Sequence, residues 1–130
     1  MDLKRDIYEK LVDWKRRDSG LVLELEGARQ VGKTYILDKF ARENYRQYLY
    51  INMTHVSGEE FLKCLDQATL WQPGMPRLDK PLHEAFHLFE NKFMDGKETV
   101  VVIDEIQESS RVYSLIRQFA REFQCHFIVT

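Results

Sequence analysis

Gly27-Ala28-Arg29-Gln30-Val31-Gly32-Lys33-Thr34 is a complete G-x-x-x-x-G-K-[ST] stretch. It follows the apolar run Leu21-Val22-Leu23-Glu24-Leu25 and opens a helical pattern through Ile36, Leu37, Phe40 and Ala41. A strand-to-helix turn of this kind meets phosphate oxyanions with unpaired backbone N–H groups and the positive end of a helix dipole. Gly27 and Gly32 permit the tight backbone path. Lys33 is expected to place a point charge on the β- and γ-phosphates of a nucleoside triphosphate. The Thr34 hydroxyl is expected to ligate the Mg²⁺ bridging them. Residues Gly27 to Thr34, with the adjacent Tyr35, form the expected nucleotide-binding set; for Arg29 a salt bridge bracing the loop competes with phosphate contact.

Further along, Thr99-Val100-Val101-Val102-Ile103 runs into Asp104-Glu105. Consecutive β-branched apolar residues fit a strand buried on both faces, as in the middle of a parallel sheet. The carboxylates arrive at its C-terminal end, the edge where open α/β sheets bind ligands. Asp104 is assigned to the metal through its water shell, and Glu105 to orienting water for attack on the γ-phosphate. Lys33 and Glu105 are therefore the catalytic candidates, and Thr34 and Asp104 the Mg²⁺ candidates.

With Ile103-Asp104-Glu105-Ile106-Gln107 and Phe127-Ile128-Val129-Thr130 beside the Arg-Gln-Val-Gly-Lys-Thr loop, most of residues 20–130 resembles the prokaryotic AAA-type P-loop ATPases. Members have an N-terminal ATPase core, a helical lid and often a C-terminal domain resembling restriction-endonuclease folds. The resemblance implies ATP and Mg²⁺ as cofactors, with Asp104 and Glu105 as the Walker B pair. It implies a three-layer α/β P-loop fold with a mainly parallel sheet in the order 5-1-4-3-2. In the family, a Gly-Ser pair with the γ-phosphate sensor follows the strand that ends here at Thr130. The expectation is thus a core truncated before the last strand, sensor and lid, with strand one left as an edge open to self-association.

Composition bounds the rest. The chain has 130 residues, 44% hydrophobic and 31% charged, with a net charge of −2. That suits one ordinary domain with one core. Nucleic acid is not indicated at this charge; the basic cluster Lys15-Arg16-Arg17 reads as hydrated cations complementing a helix C-terminus. No apolar run suits a membrane span, and the charged start Met1-Asp2-Leu3-Lys4-Arg5-Asp6 lacks a secretory core, so a cytoplasmic location is expected. Cys64 and Cys125 are too few for a disulfide framework and read as small buried residues.

Periodicity assigns residues 1–19 to an N-terminal amphipathic helix segment, with Leu3, Ile7, Leu11 and Trp14 on one face, and residues 20–130 to a partial ATPase core. Gln47 to Asn52 reads as strand two. Ser57 with Glu60 reads as a capping box opening the next helix. Gln72 to Pro76 is a turn-rich connector, and Leu82, Phe86, Phe89 and Phe93 form a helical stripe ended by Asp95-Gly96-Lys97. The repeat Val112, Leu115, Ile116, Phe119, Ala120 and Phe123 predicts another helix before strand four, Cys125 to Thr130.

His83-Glu84-Ala85-Phe86-His87 matches H-E-x-x-H, a zinc-peptidase motif. Such a site needs a third ligand, for which Glu105 and Glu108 are the available spacing, and a solvated histidine pair is the competing reading. His55 falls in a loop and His126 reads as a packed imidazole. Arg111, Arg117 and Arg121 include a possible trans-acting arginine finger, against a plain solvated helix face. No N-K-x-D sequence occurs, which favours adenine over guanine. Two functions stay open: an ATPase coupling hydrolysis to conformational change, and a nucleotide-gated module that binds a protein partner with little hydrolysis. A phosphotransferase lacks a second-substrate loop.

Overall fold

The computed structural model describes residues 3–20, 22–25, 33–70, 73–76 and 78–130. The glycine-rich loop from Gly27 to Gly32, including Ala28, Arg29, Gln30 and Val31, lies outside the described residues, as does Leu21. The elements are α1 (Leu3–Arg17), β1 (Leu23–Glu24), α2 (Lys33–Asn44), β2 (Gln47–Asn52), α3 (Val56–Thr69), α4 (Pro81–Phe89), β3 (Thr99–Asp104), α5 (Ser110–Glu122) and β4 (His126–Val129). A short 3-10 turn, Ile106–Glu108, joins β3 to α5.

All strand pairs are parallel, and the sheet order is β1-β4-β3-β2. This is the 1-4-3-2 part of the expected strand order, in a parallel sheet with helices on both faces. Among the described residues β1 and β2 are the two edge strands; β1 lies beside β4, and Leu25 N–H extends that pairing to Val129 O at 2.9 Å.

Alternation along β3 explains the layers. Val101 and Ile103 join Leu49, Ile51, Phe127 and Val129 beneath α3, α4 and α5. On the other face Val100, Val102 and Ile128 pack with Leu11 and Trp14 of α1 and Phe40 of α2. Residues 99 to 103 are all buried, as a strand covered on both faces requires. Each such side chain contributes about 1.5–3 kcal/mol on burial. Phe86 is the hub of the larger cluster, with ring centroids 4.9 Å from Phe61, 5.1 Å from Phe123 and 5.5 Å from Phe119.

Three local expectations are corrected. The helix α3 starts at Val56 with His55 as N-cap and no side-chain cap, so Ser57 and Glu60 do not form a capping box. Ser57 Oγ instead accepts from the backbone N–H of Asn52 at 2.9 Å, which fastens the helix to the end of β2. Helix α4 stops at Phe89, well before Asp95. Glu90 turns the chain by accepting from Lys92 N–H at 3.1 Å, and Phe93 reaches the core from that turn, 5.3 Å from Phe86. Lys15 is not simply hydrated: its Nζ donates to Asn44 O at 2.6 Å, capping the last turn of α2, and lies 4.5 Å from the Tyr45 ring centre.

Candidate functional site

A parallel sheet sends the C-terminal ends of all its strands to one edge. Here Leu25, Asn52, Asp104 and Thr130 meet there, around a cleft of about 810 Å³. Lys33 and Thr34, the first two residues of α2, line the same cleft, as does Glu105. Of the residues expected at a nucleotide's phosphates and metal, the described Lys33, Thr34, Asp104 and Glu105 line one opening, at a helix N-terminus. Tyr35 is exposed and lines an adjoining hollow of about 370 Å³ shared with Thr34 and Tyr50.

Asp104 is held from two sides. Its Oδ1 accepts from the Glu105 backbone N–H at 2.9 Å, and its Oδ2 accepts from the Tyr50 hydroxyl at 2.6 Å. Burial, reinforced by that contact with Asp104, pushes the Tyr50 phenol up to about 12, so it remains a donor at neutral pH. Glu105 has φ 54° and ψ 45°, a left-handed conformation that is costly for a residue with a Cβ. Its Oε2 accepts from Gln107 Nε2 at 2.5 Å. Backbone bonds from Ile106 N–H to Thr130 O and from Thr130 N–H to Ile103 O, both 3.0 Å, fasten this turn to the end of β4.

Thr34 and Asp104 are hard oxygen donors, and no group of three or more His, Cys, Asp or Glu able to hold a metal occurs among the described residues. Two oxygen donors fit Mg²⁺, which keeps most of its waters and takes one or two protein ligands beside substrate phosphates.

The sequence reading did not single out Tyr50, Asn52, Thr54, His55 or Thr130 as cleft residues. Thr130 Oγ1 is buried and has no hydrogen-bond partner. Thr130 closes the Phe127 to Thr130 stretch, whereas Tyr50, Asn52, Thr54 and His55 belong to no motif and come to the cleft only by lying at the end of β2 and in the turn that follows it.

The H-E-x-x-H histidines lie elsewhere. His83 is not solvated: its Nε2 is 3.1 Å from Asp95 Oδ2 and its ring stacks on Phe123 at 3.9 Å. His87 is exposed, edge-on to Phe93. His126 is packed, with Nδ1 2.6 Å from the Tyr45 hydroxyl and Nε2 3.1 Å from Asp18 Oδ1. Arg111 is engaged within the chain by Asp66 of α3, while Arg117 and Arg121 are exposed. Cys64 and Cys125 are free and buried.

A family model described as AAA domain matches residues 19–130. The chain belongs to this family of P-loop ATPase type, whose members handle nucleotides. No curated protein and no solved structure matched it. Among the described residues no helix is long and apolar enough to cross a membrane.

Proposed function

We propose that the chain binds ATP with Mg²⁺ and hydrolyses it, coupling nucleotide state to a change of shape. The observation that carries this reading is the shared cleft, into which α2 brings Lys33 and Thr34 and β3 brings Asp104 and Glu105. Residues 20–130 are the proposed nucleotide-handling unit, preceded by the segment 1–19, from which Leu11 and Trp14 of α1 pack on one face of the sheet.

Lys33 and the loop Gly27 to Gly32 bind the phosphates; Thr34 and Asp104 hold Mg²⁺, which when bound offsets charge on the β- and γ-phosphate oxygens. Glu105 orients a water whose oxygen bonds to the γ-phosphorus as the bond to the ADP oxygen breaks. The water's proton leaves to the carboxylate or to solvent. Thr54 and His55, at the start of α3, line the same cleft. Loss of the γ-phosphate is thereby open to transmission into that helix.

The bond from Gln107 to the Glu105 carboxylate supports a second reading. A carboxylate held this way is drawn from the water it would orient, giving a nucleotide-gated module that binds a protein partner, or a second copy, with little turnover. Single-turnover hydrolysis of radiolabelled ATP by the chain and by Glu105→Gln separates the two. The ATPase reading expects turnover in the first, a fall of at least roughly a hundredfold in the second, and unchanged ATP affinity. Equal slow rates in both proteins would favour the gated module.

A further inference from the structure

The end of β2 holds a directed chain of hydrogen bonds aimed at Asp104. Asn52 Oδ1 accepts from the Thr54 backbone N–H at 2.9 Å and from Thr54 Oγ1 at 2.7 Å. A backbone N–H can only donate, so the atom facing Thr54 must be the carboxamide oxygen. The Asn52 Nδ2 group is then turned to the Tyr50 hydroxyl, 3.3 Å away, and an amide NH₂ can only donate. The Tyr50 oxygen therefore accepts from Asn52, which leaves its proton for Asp104 Oδ2. Every polarity in Thr54–Asn52–Tyr50–Asp104 is set by the first backbone amide.

Asn52 is 6% exposed, so its amide is shielded from competing water. Its strand position pairs in register with Asp104 across the β2–β3 ladder. A carboxylate offers about four lone-pair positions, of which Tyr50 and the Glu105 N–H take two. The remainder are held in a set direction.

We propose that Tyr50 is a positioning residue for the metal: its hydroxyl orients the Asp104 carboxylate and thereby sets the affinity for nucleotide-bound Mg²⁺. This rests on the nucleotide reading above. Groups that orient a metal's ligands typically change metal affinity about 10–100-fold when removed. Tyr50→Phe keeps the ring and removes only the hydroxyl, so Asp104 Oδ2 loses its donor, Oδ1 keeps the Glu105 N–H, and no cavity forms.

The test is equilibrium binding of a fluorescent, non-hydrolysable ATP analogue, titrated with MgCl₂, for the chain, Tyr50→Phe and Lys33→Ala, with far-UV circular dichroism of each. The expected result is unchanged affinity of Tyr50→Phe for the analogue in EDTA and a half-saturating Mg²⁺ concentration raised about tenfold. An unchanged Mg²⁺ dependence in Tyr50→Phe, or a loss of affinity equally large in EDTA, would overturn the positioning role. Failure of the nucleotide reading has a different signature: the unaltered chain then binds no analogue, or Lys33→Ala binds as well as the unaltered chain, and the proposal falls with it.

Discussion

Glu105 combines two features at one residue, a left-handed backbone and a carboxylate at the cleft. Strain of this kind costs on the order of 1–3 kcal/mol and persists where surrounding contacts over-determine it. Here the backbone bonds from Ile106 to Thr130 and from Thr130 to Ile103 do so. Asp18, the other non-glycine with positive φ among the described residues, lies at the far end of the strands and does a different job. Its carboxylate meets Lys97 and His126, so the end of α1, the approach to β3 and the start of β4 converge on one side chain. Contact with Lys97, then with His126, holds the Asp18 carboxyl below its ordinary range. A depressed carboxyl pKa stabilises the folded chain above the unfolded value, near about 4, and loses that contribution as pH falls through the folded value. Asp18→Asn is therefore expected to be less stable than the unaltered chain at pH 7, with the gap closing below about pH 4. Denaturant unfolding between pH 3 and pH 7 checks this; a gap that stays constant with pH would contradict it.

Between elements, the turn from β2 into α3 is the joint where a described glycine is most closely confined. A Cβ at Gly58 would stand 2.5 Å from Asn52 O and 2.6 Å from Met53 Cα, both backbone atoms that no side-chain rotation can move aside. Gly58→Ala is expected to lower stability by about 1–3 kcal/mol through overpacking. Because Asn52 orients Tyr50, the same substitution is expected to raise the Mg²⁺ requirement for nucleotide binding. Thermal unfolding with the Mg²⁺ titration measures both, and a variant as stable as the unaltered chain would contradict the first. This joint shows what sequence patterns miss. Ser57 and Glu60 carry the residue types of a capping box, yet the edge strand's unpaired Asn52 N–H takes the hydroxyl. Likewise Phe93 keeps helical spacing from Phe89, but a turn at Glu90 delivers it to the core. By contrast β2 spans Gln47–Asn52 as its pattern predicts, and β3 adds only Asp104 to its apolar run. Burial of the whole apolar run of β3 between helices on both faces leaves it little choice, and β2 pairs with it along its full length.

Across the whole molecule, parallel strands with helices on both faces gather their chemistry at one edge, and this much is legible from alternating strand and helix signals plus two motifs. The groups that hold Asp104 are not legible, because Tyr50 and Asn52 come beside it only through the register of β2 on β3, and Thr54 acts through Asn52. The same logic separates the rival motif: H-E-x-x-H sits on α4, where His83 is engaged by Asp95 and packed on Phe123. What unites the sheet edge is the proposal that ATP and Mg²⁺ sit between the start of α2 and the end of β3. Calorimetric titration of ATP with MgCl₂ into the chain and into Lys33→Ala tests it most directly. Losing a charge-assisted phosphate contact costs about 1.5–3 kcal/mol, so Kd is predicted to rise roughly ten- to a hundredfold in Lys33→Ala. Equal affinity in the two proteins, or no heat of binding in either, would contradict the account.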